Sequence, residues 1–152
     1  MQINGKVVQA PSEEVVVIPR GEENIVFKAK AVLDFEAFEK LNPMPEPPEI
    51  LYPGGVKSLN VEDEGYQKKI DEWAQSKTDW MILKSLEATE GLTWDTVDKS
   101  DPQTWGNYRS ELASVFTPGE VAKIIEAVML ACGLIQERID EATKRFLAGP
   151  QE

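Results

Sequence analysis

The sequence predicts an α+β protein that is mainly α-helical, with a small N-terminal antiparallel β element followed by a C-terminal body of about four helices. Apolar residues alternate with a period of two before Leu33 and recur with a period near 3.6 after Val61. Five of the ten prolines fall between Pro43 and Pro53, at the boundary between the two patterns. We therefore expect an N-terminal β element with a short helix over residues 1–42, a Pro-rich extended linker over 43–60 and a helical domain over 61–148.

The N-terminal β element is predicted from two β-rich stretches. Residues 15–18 form an unbroken β-branched run, and residues 24–32 alternate between a face with Phe27 and a face with Lys28. The segment 19–23 between them supplies the Pro and Gly of a hairpin loop. Residues 6–9 are expected as a third strand. The element is either a structural cap on the helical body or an edge that pairs with another chain.

A short helix and a stiff connection are expected next. Asp34 is placed to cap a helix over 35–41, because an aspartate side chain accepts hydrogen bonds from a first helical turn. The prolines that follow exclude a helix or a central strand, so residues 43–55 should be extended, with a turn at Gly54 and Gly55. This stretch is interpreted as a plain linker, with a polyproline II ligand for an SH3-type groove as the alternative.

Two helices are predicted between residues 62 and 114. Three acidic residues at 62–64 favour the start of a long helix, which is expected to run to about Glu90 and to end at Gly91. Asp101 followed by proline predicts a second helix over 102–114. Its buried residues should be Trp105, Tyr108 and Leu112.

The last two helices have the clearest signals. The sequence Thr-Pro-Gly-Glu at 117–120 is a capping box, and Gly133 is placed to end the helix that it starts. Cys132 lies on the core-facing side of this helix and is expected to be buried. The final helix is predicted over 135–147, with an apolar stripe of Ile135, Ile139, Ala142 and Phe146.

The residue types argue against an enzyme. The chain has no histidine and one cysteine, so the side chains that do most acid–base and nucleophilic catalysis near neutral pH are missing. Known phosphate-binding and nucleophile motifs are absent from the sequence as well. The acidic clusters at 62–64 and at Asp95, Asp98 and Asp101 lack the spacing of a calcium loop and are interpreted as helix caps. We expect no catalytic residue, no metal and no cofactor.

Charge limits the partners. A net charge of −11 and a pI near 4.5 argue against binding to nucleic acid or to anionic membranes. The sequence has no apolar run of about 20 residues and no signal peptide after its N-terminus, so a cytoplasmic protein is expected. An acidic mimic of DNA is a weak alternative, because lysines interrupt the acidic residues at 64–69.

The tryptophans are the candidate partner-binding residues. There are four in a 17.0 kDa chain, more than a minimal helical core requires. Core packing is the simpler explanation, but tryptophan is also enriched where interfaces contribute most binding energy. The candidates are Trp73, Trp80, Trp94 and Trp105.

Four segments carry a resemblance to a known family. They are Ile-Leu-Tyr-Pro-Gly-Gly at 50–55, Lys-Thr-Asp-Trp-Met-Ile-Leu-Lys-Ser-Leu at 77–86, the stretch from Trp-Asp-Thr-Val-Asp at 94–98 through Asp-Pro-Gln-Thr-Trp at 101–105, and Arg-Phe-Leu at 145–147. Together they resemble small proteins of tailed bacteriophages of the tail assembly chaperone type. The resemblance extends over most of residues 25–147.

The resemblance implies a non-enzymatic protein of the host cytoplasm that is absent from the mature virion. Its implied partners are the phage tape measure protein, which it coats, and the tail tube protein. The N-terminal β element departs from a purely helical chaperone. A virion structural protein, such as a tail connector or completion subunit that forms a homo-oligomer, is therefore the alternative.

Overall fold

The computed structural model describes residues 1–150 and confirms the predicted α+β class, with 46% helix, small antiparallel hairpins mostly near the N-terminus and about four helices after them. The elements are β1 (Gln2–Ile3), β2 (Lys6–Val7), β3 (Glu14–Arg20), β4 (Glu23–Ala29), α1 (Glu36–Leu41), β5 (Glu49–Leu51), β6 (Lys57–Leu59), α2 (Glu64–Leu86), a 3₁₀ helix (Pro102–Asn107), α3 (Tyr108–Val115), α4 (Pro118–Ala131) and α5 (Gln136–Leu147).

The chain forms two compact units, each assembled from separated stretches of sequence. The first unit contains Met1–Leu33, Lys84–Thr93 and Leu112–Glu152, and the second contains Asp34–Leu83 and Trp94–Glu111. The boundary between them falls within α2. The three consecutive segments expected from the sequence stay a prediction.

The first unit is built on the β3–β4 hairpin. A two-residue loop of Gly21 and Glu22 connects the strands, and Gly21 has φ +60°, as the first central position of a type II′ turn requires. One face of the hairpin carries Ile18 and Phe27 and packs against α4, whereas the other face carries valines exposed to solvent. The predicted alternation of apolar residues is therefore confirmed. Buried apolar residues of this unit include Ile18, Phe27, Ala29, Leu86, Leu112, Ile124, Ala127, Val128 and Ala131.

The expected third strand of this sheet is wrong. Residues Lys6–Val7 pair with Gln2–Ile3 in a separate hairpin and not with β3. Asn4 and Gly5 form its turn, with φ of +51° and +74°. An Asn-Gly pair is the strongest short-range hairpin signal, because both residues tolerate positive φ.

Helix α2 ends at Leu86, before the predicted end at Glu90. Polar groups of the last turn of α2 and of the residues that follow it bind the backbone of β4 and of Lys30, which comes directly after β4. The Ser85 hydroxyl donates to Lys30 O at 2.7 Å, and the Thr89 hydroxyl donates to Lys28 O at 3.0 Å. These contacts depend on residues far away in the sequence, so the local pattern could not predict where the helix ends. Gly91 has φ +70° in the loop that follows.

In the second unit, the predicted cap at Asp34 is wrong in its position, because the N-cap residue of α1 is Phe35, whose side chain makes no capping hydrogen bond, and Asp34 lies one residue earlier. Its carboxylate accepts from Glu36 N at 2.8 Å at the start of α1. The Pro-rich segment is extended only in its first part, because β5 and β6 form a hairpin in which Ile50 lies opposite Ser58. The prolines at 43–48 precede this hairpin and Pro53 lies in its turn, so none of them removes a ladder hydrogen bond.

The remaining helix signals are largely confirmed. Asp101 accepts from Gln103 N at 3.0 Å, although the first six residues of the predicted helix form a 3₁₀ helix. The capping box at Thr117 and Glu120 is present, and Gly133, with φ +70°, follows the end of α4. Cys132 is half-buried and not fully buried as expected, because it lies at the C-cap and not within the helix.

Candidate binding surfaces

Two of the four candidate tryptophans belong to the core of the second unit. Trp80 and Trp105 are 6% and 0% exposed. Their rings lie 5.9 and 5.8 Å from the fully buried ring of Phe38. The indole N–H of Trp105 donates to Lys99 O at 3.1 Å, so its polar group is satisfied inside the protein. These two side chains stabilise the unit and present no surface to a partner.

The other two tryptophans are half-buried. Trp73 packs on Phe38 at 5.6 Å and donates its indole N–H to Asn42 O at 2.9 Å. Trp94 does not join this cluster, and its ring stands edge-on to Tyr108 at 6.3 Å. Trp73 and Trp94 therefore remain the tryptophans with surface to offer.

Trp73 lines a cleft of about 510 Å³, the Trp73 cleft, together with two residues that follow α1 and with residues of α2 and the 3₁₀ helix. Asp79 lies at its wall and is buried, and its carboxylate accepts from Tyr108 Oη at 3.1 Å, from Gln75 Nε2 at 3.2 Å and from the Arg109 guanidinium. The residues that line the cleft are Asn42, Pro45, Lys69, Glu72, Trp73, Gln75, Ser76, Asp79, Pro102, Gln103 and Gly106.

This arrangement holds a charged group in place. All three donors bind the Oδ1 atom of Asp79, so they fix the orientation of its carboxylate in the wall of the cleft. Burial, followed by the nearby charge of Asp79, raises the pKa of Tyr108 to about 12. Tyr108 therefore stays protonated and donates to Asp79. We interpret the cluster as structural.

The acidic clusters serve as caps and turn residues. Asp63 accepts from Tyr66 N at 2.9 Å at the start of α2. Asp98 accepts from both the hydroxyl and the backbone N–H of Ser100, and these hydrogen bonds lower the pKa of its carboxyl group. Within residues 1–150, no group of three or more Cys, Asp or Glu side chains is arranged to hold a metal ion.

An open apolar surface is found on α5, which has no buried residue. Ile139 is 48% exposed and Phe146 is 83% exposed, on the face that the sequence predicted to be apolar. An apolar groove of about 350 Å³, the α5 groove, lies between this face and the last turn of α4. Its lining residues are Leu130, Gly133, Ile135, Arg138, Ile139, Ala142 and Thr143.

One ion pair ties α5 to the hairpin. The Arg138 guanidinium donates to the Glu14 carboxylate at 2.7 Å, and both side chains are at the surface or half-buried. Sequence reasoning found the apolar stripe of α5 but gave it no role, because an amphipathic helix normally covers a core.

Within residues 1–150, every helix is too short or too polar to cross a membrane. Comparison with known protein families, curated proteins and solved structures finds no match.

Proposed function

We propose that this protein is a non-catalytic tail assembly chaperone of a tailed bacteriophage, which binds the tape measure protein and assists assembly of the tail tube. The observation that carries the proposal is the α5 groove with its exposed apolar face. An apolar face of this kind on a water-exposed helix stabilises the folded chain little and is suited to a partner. The resemblance to tail assembly chaperones supplies the identity of that partner.

The shape of the α5 groove fits an apolar helical segment. An amphipathic helix that binds in a groove places side chains at i, i+3, i+4 and i+7 against an apolar floor. The floor here is formed by Leu130, Ile135, Ile139 and Ala142, and Phe146 extends it toward the end of α5. The tape measure protein implied by the resemblance is a long chain with apolar helical faces, which matches this requirement.

The rest of the surface suits a chaperone. The net charge of −11 keeps the protein and a bound apolar segment apart from other copies. On this proposal the protein acts in the host cytoplasm, contacts the tail tube protein during assembly and does not remain in the mature virion.

The test is co-expression with the tape measure protein from the same genome. We expect the two proteins to co-purify and the yield of dissolved tape measure protein to rise. Replacing both Ile139 and Phe146 with alanine should weaken binding about 30-fold or more, because interface anchors contribute about 2 kcal/mol or more. In the matched control, alanine replaces Glu137 and Lys144, which lie on the opposite face of α5. This variant should bind the tape measure protein as the unchanged protein does.

Two further measurements complete the test: the stability of the double variant, and whether the protein is found in purified virions. The Ile139 and Phe146 side chains are exposed, so the urea midpoint of the double variant should equal that of the unchanged protein. Trp73→Ala and Trp94→Ala, measured beside it, test whether a tryptophan contributes to the same surface. Failure to co-purify would contradict the proposal, and recovery of the protein from purified virions would favour the structural alternative.

A further inference from the structure

The two edges of the β3–β4 hairpin differ. The outer edge of β4 is closed, because Lys28 N donates to the Thr89 hydroxyl at 2.9 Å and Lys30 N donates to Ser85 O at 3.1 Å. Within residues 1–150, β4 is the only strand that pairs with β3, so the outer edge of β3 has no strand beside it.

The register identifies the backbone groups on that open edge. Because the N–H and C=O of Lys28 point away from β3, Lys28 and Val15 form a non-hydrogen-bonded pair of the antiparallel ladder. The N–H and C=O of Val15 therefore point away from β4 as well. The same holds two residues later for Val17, opposite Val26. Pro19 ends the edge and has no N–H to offer.

A groove runs along this edge, and α4 forms its other wall. The groove, which we call the β3 groove, has a volume of about 540 Å³. Its lining residues are Val16, Val17, Ile18, Pro19, Thr117, Gly119, Glu120 and Lys123. An extended chain placed here would meet backbone donors and acceptors on one side and a helix surface on the other.

The charge available in the β3 groove is positive. The Glu120 carboxylate is taken up by Arg20, with Nη1 and Nη2 at 2.5 and 2.7 Å, and by Thr117 N at 3.0 Å. Lys123 is exposed, and among residues 1–150 none of the ion pairs involves it. A carboxylate on a bound segment would find its complement in Lys123.

We infer that the β3 groove binds an extended segment of a partner protein, which adds to β3 as a third strand and pairs a carboxylate side chain with Lys123. Strand addition takes affinity from main-chain hydrogen bonds and specificity from the alternate side chains that face the groove. Those side chains should be apolar beside Val16 and Ile18, which share the face of β3 that packs against α4, and acidic beside Lys123. This surface is separate from the α5 groove, so the inference goes beyond the proposed function.

A second copy of the chain fits this edge less well. Two β3 edges paired antiparallel would bring two α4 helices onto the same face of the joined sheet. Helix α4 packs against β3 and lines the open edge, so pairing of the two edges would bring the two α4 helices nearly as close together as the paired strands. Neighbouring strands are only about 4.8 Å apart, whereas packed helices need about 8–10 Å between their axes. The net charge of −11 on each copy also opposes self-association.

The test uses ¹⁵N-labelled full-length protein and blocked peptides. The probes are Ac-Val-Thr-Val-Thr-Glu-Thr-NH₂ and two relatives with the glutamate moved to the first or third position, each with a glutamine twin. At saturation we expect amide exchange of Val15 and Val17 to slow about 10-fold or more, while Lys28 stays unchanged. The glutamine twin should bind at least about 3-fold more weakly.

Two pairs of variants locate the binding. A Cβ at Gly119 meets nothing closer than Thr117 Oγ1 at 4.0 Å, so both Gly119→Phe and Gly119→Ala should fold. The phenyl ring should fill the groove and abolish binding, whereas the methyl group should not. Lys123→Glu should weaken binding of the glutamate peptide about 10-fold, whereas Lys68→Glu on α2 should leave it unchanged.

Three results would overturn the inference. The first is unchanged exchange at Val15 and Val17 with all the peptides, and the second is binding that survives Gly119→Phe. The third is protection of Val15 and Val17 that rises with protein concentration in the absence of peptide, since this would assign the edge to a second copy.

Discussion

Glu120 makes two contacts, one with a residue close to it in the sequence and one with a residue far away. Its carboxylate completes the capping box of α4 by accepting from Thr117 N, and it also binds the guanidinium of Arg20 at the end of β3. Arg20 lies over the ring of Phe116 at 5.3 Å and donates to Val115 O at 3.2 Å. One carboxylate therefore starts a helix and fastens the hairpin to it.

Glu120 should make the stability of the protein depend on pH in the acid range. The hydrogen bond from Arg20, followed by that from Thr117 N, lowers the pKa of Glu120 from 4.5 to about 2. Because the folded chain holds the charged form, this stabilisation is complete above about pH 4.5 and is lost as the pH falls toward about 2. In Glu120→Gln, which keeps a side chain suited to the capping box, the urea midpoint should fall less steeply across this window.

The control for this prediction is Glu126→Gln, an exposed carboxylate on the same helix. It should show the pH dependence of the unchanged protein. Parallel pH profiles for the unchanged protein and Glu120→Gln would show that the ion pair with Arg20 does not act in solution.

The capping box shows what a sequence reveals at this scale. Thr117 and Glu120 are three residues apart, so the pattern predicted both hydrogen bonds between them. Arg20 is 100 positions away from Glu120, and no local pattern points to it. Likewise, surplus tryptophan suggested a binding surface, but all three of these rings pack on Phe38, and only the degree of burial in the folded structure distinguishes Trp80 and Trp105 from Trp73.

At the scale of elements, the last turn of α2 and the turn after it act as a substitute for a strand beside β4. The Thr89 hydroxyl accepts from Lys28 N at 2.9 Å and donates to Lys28 O at 3.0 Å, as a neighbouring strand would. Ser85 does the same for Lys30, with its carbonyl accepting and its hydroxyl donating. Side chains thereby close an edge that would otherwise expose backbone groups to pairing.

Removing one of these hydroxyls should loosen that edge. Thr89→Val keeps the shape of the side chain but leaves the N–H and C=O of Lys28 without their partner, at a cost of about 1–3 kcal/mol in the free energy of unfolding. The amide of Lys28 should also exchange faster. Thr93→Val, at an exposed position in the same loop, should change neither quantity. Equal stability of the two variants would mean that water replaces the Thr89 hydroxyl without loss.

The elements that were predicted well are those with signals at both ends. Helix α4 has a capping box before it and Gly133 after it, and its predicted bounds hold. Helix α2 has an acidic start but ends where Ser85 and Thr89 meet β4, which only the folded structure reveals. The β5–β6 hairpin was missed because the prolines around it suggested an extended chain.

At the scale of the whole molecule, the order of segments along the chain differs from the order in space. The first unit takes its hairpin from the first 33 residues and α4 and α5 from the last 41. The core of this unit forms where the hairpin meets α4, with Phe27 and Phe116 in edge contact at 5.5 Å. A composition change at the Pro-rich segment marks a change of secondary structure, and such a change need not divide a core.

A fragment covering residues 61–148 tests whether the helical segment folds alone. In the fragment, the side chains of Ile124 and Val128, both fully buried in the intact chain, lose the β3–β4 face that they pack against. Each buried aliphatic side chain contributes about 1.5–3 kcal/mol, against a total stability of about 5–15 kcal/mol for a domain. We therefore expect the fragment to be helical by far-UV circular dichroism but to lack the tryptophan near-UV signal and a cooperative urea transition.

Adding residues 1–60 as a separate chain should restore both the near-UV signal and the cooperative transition, because it returns the hairpin to α4. A 1–60 chain carrying Phe27→Ala and Ile18→Ala should restore these two signals less. A cooperative transition in the fragment alone would show that residues 61–148 are a domain in their own right, as their composition predicts.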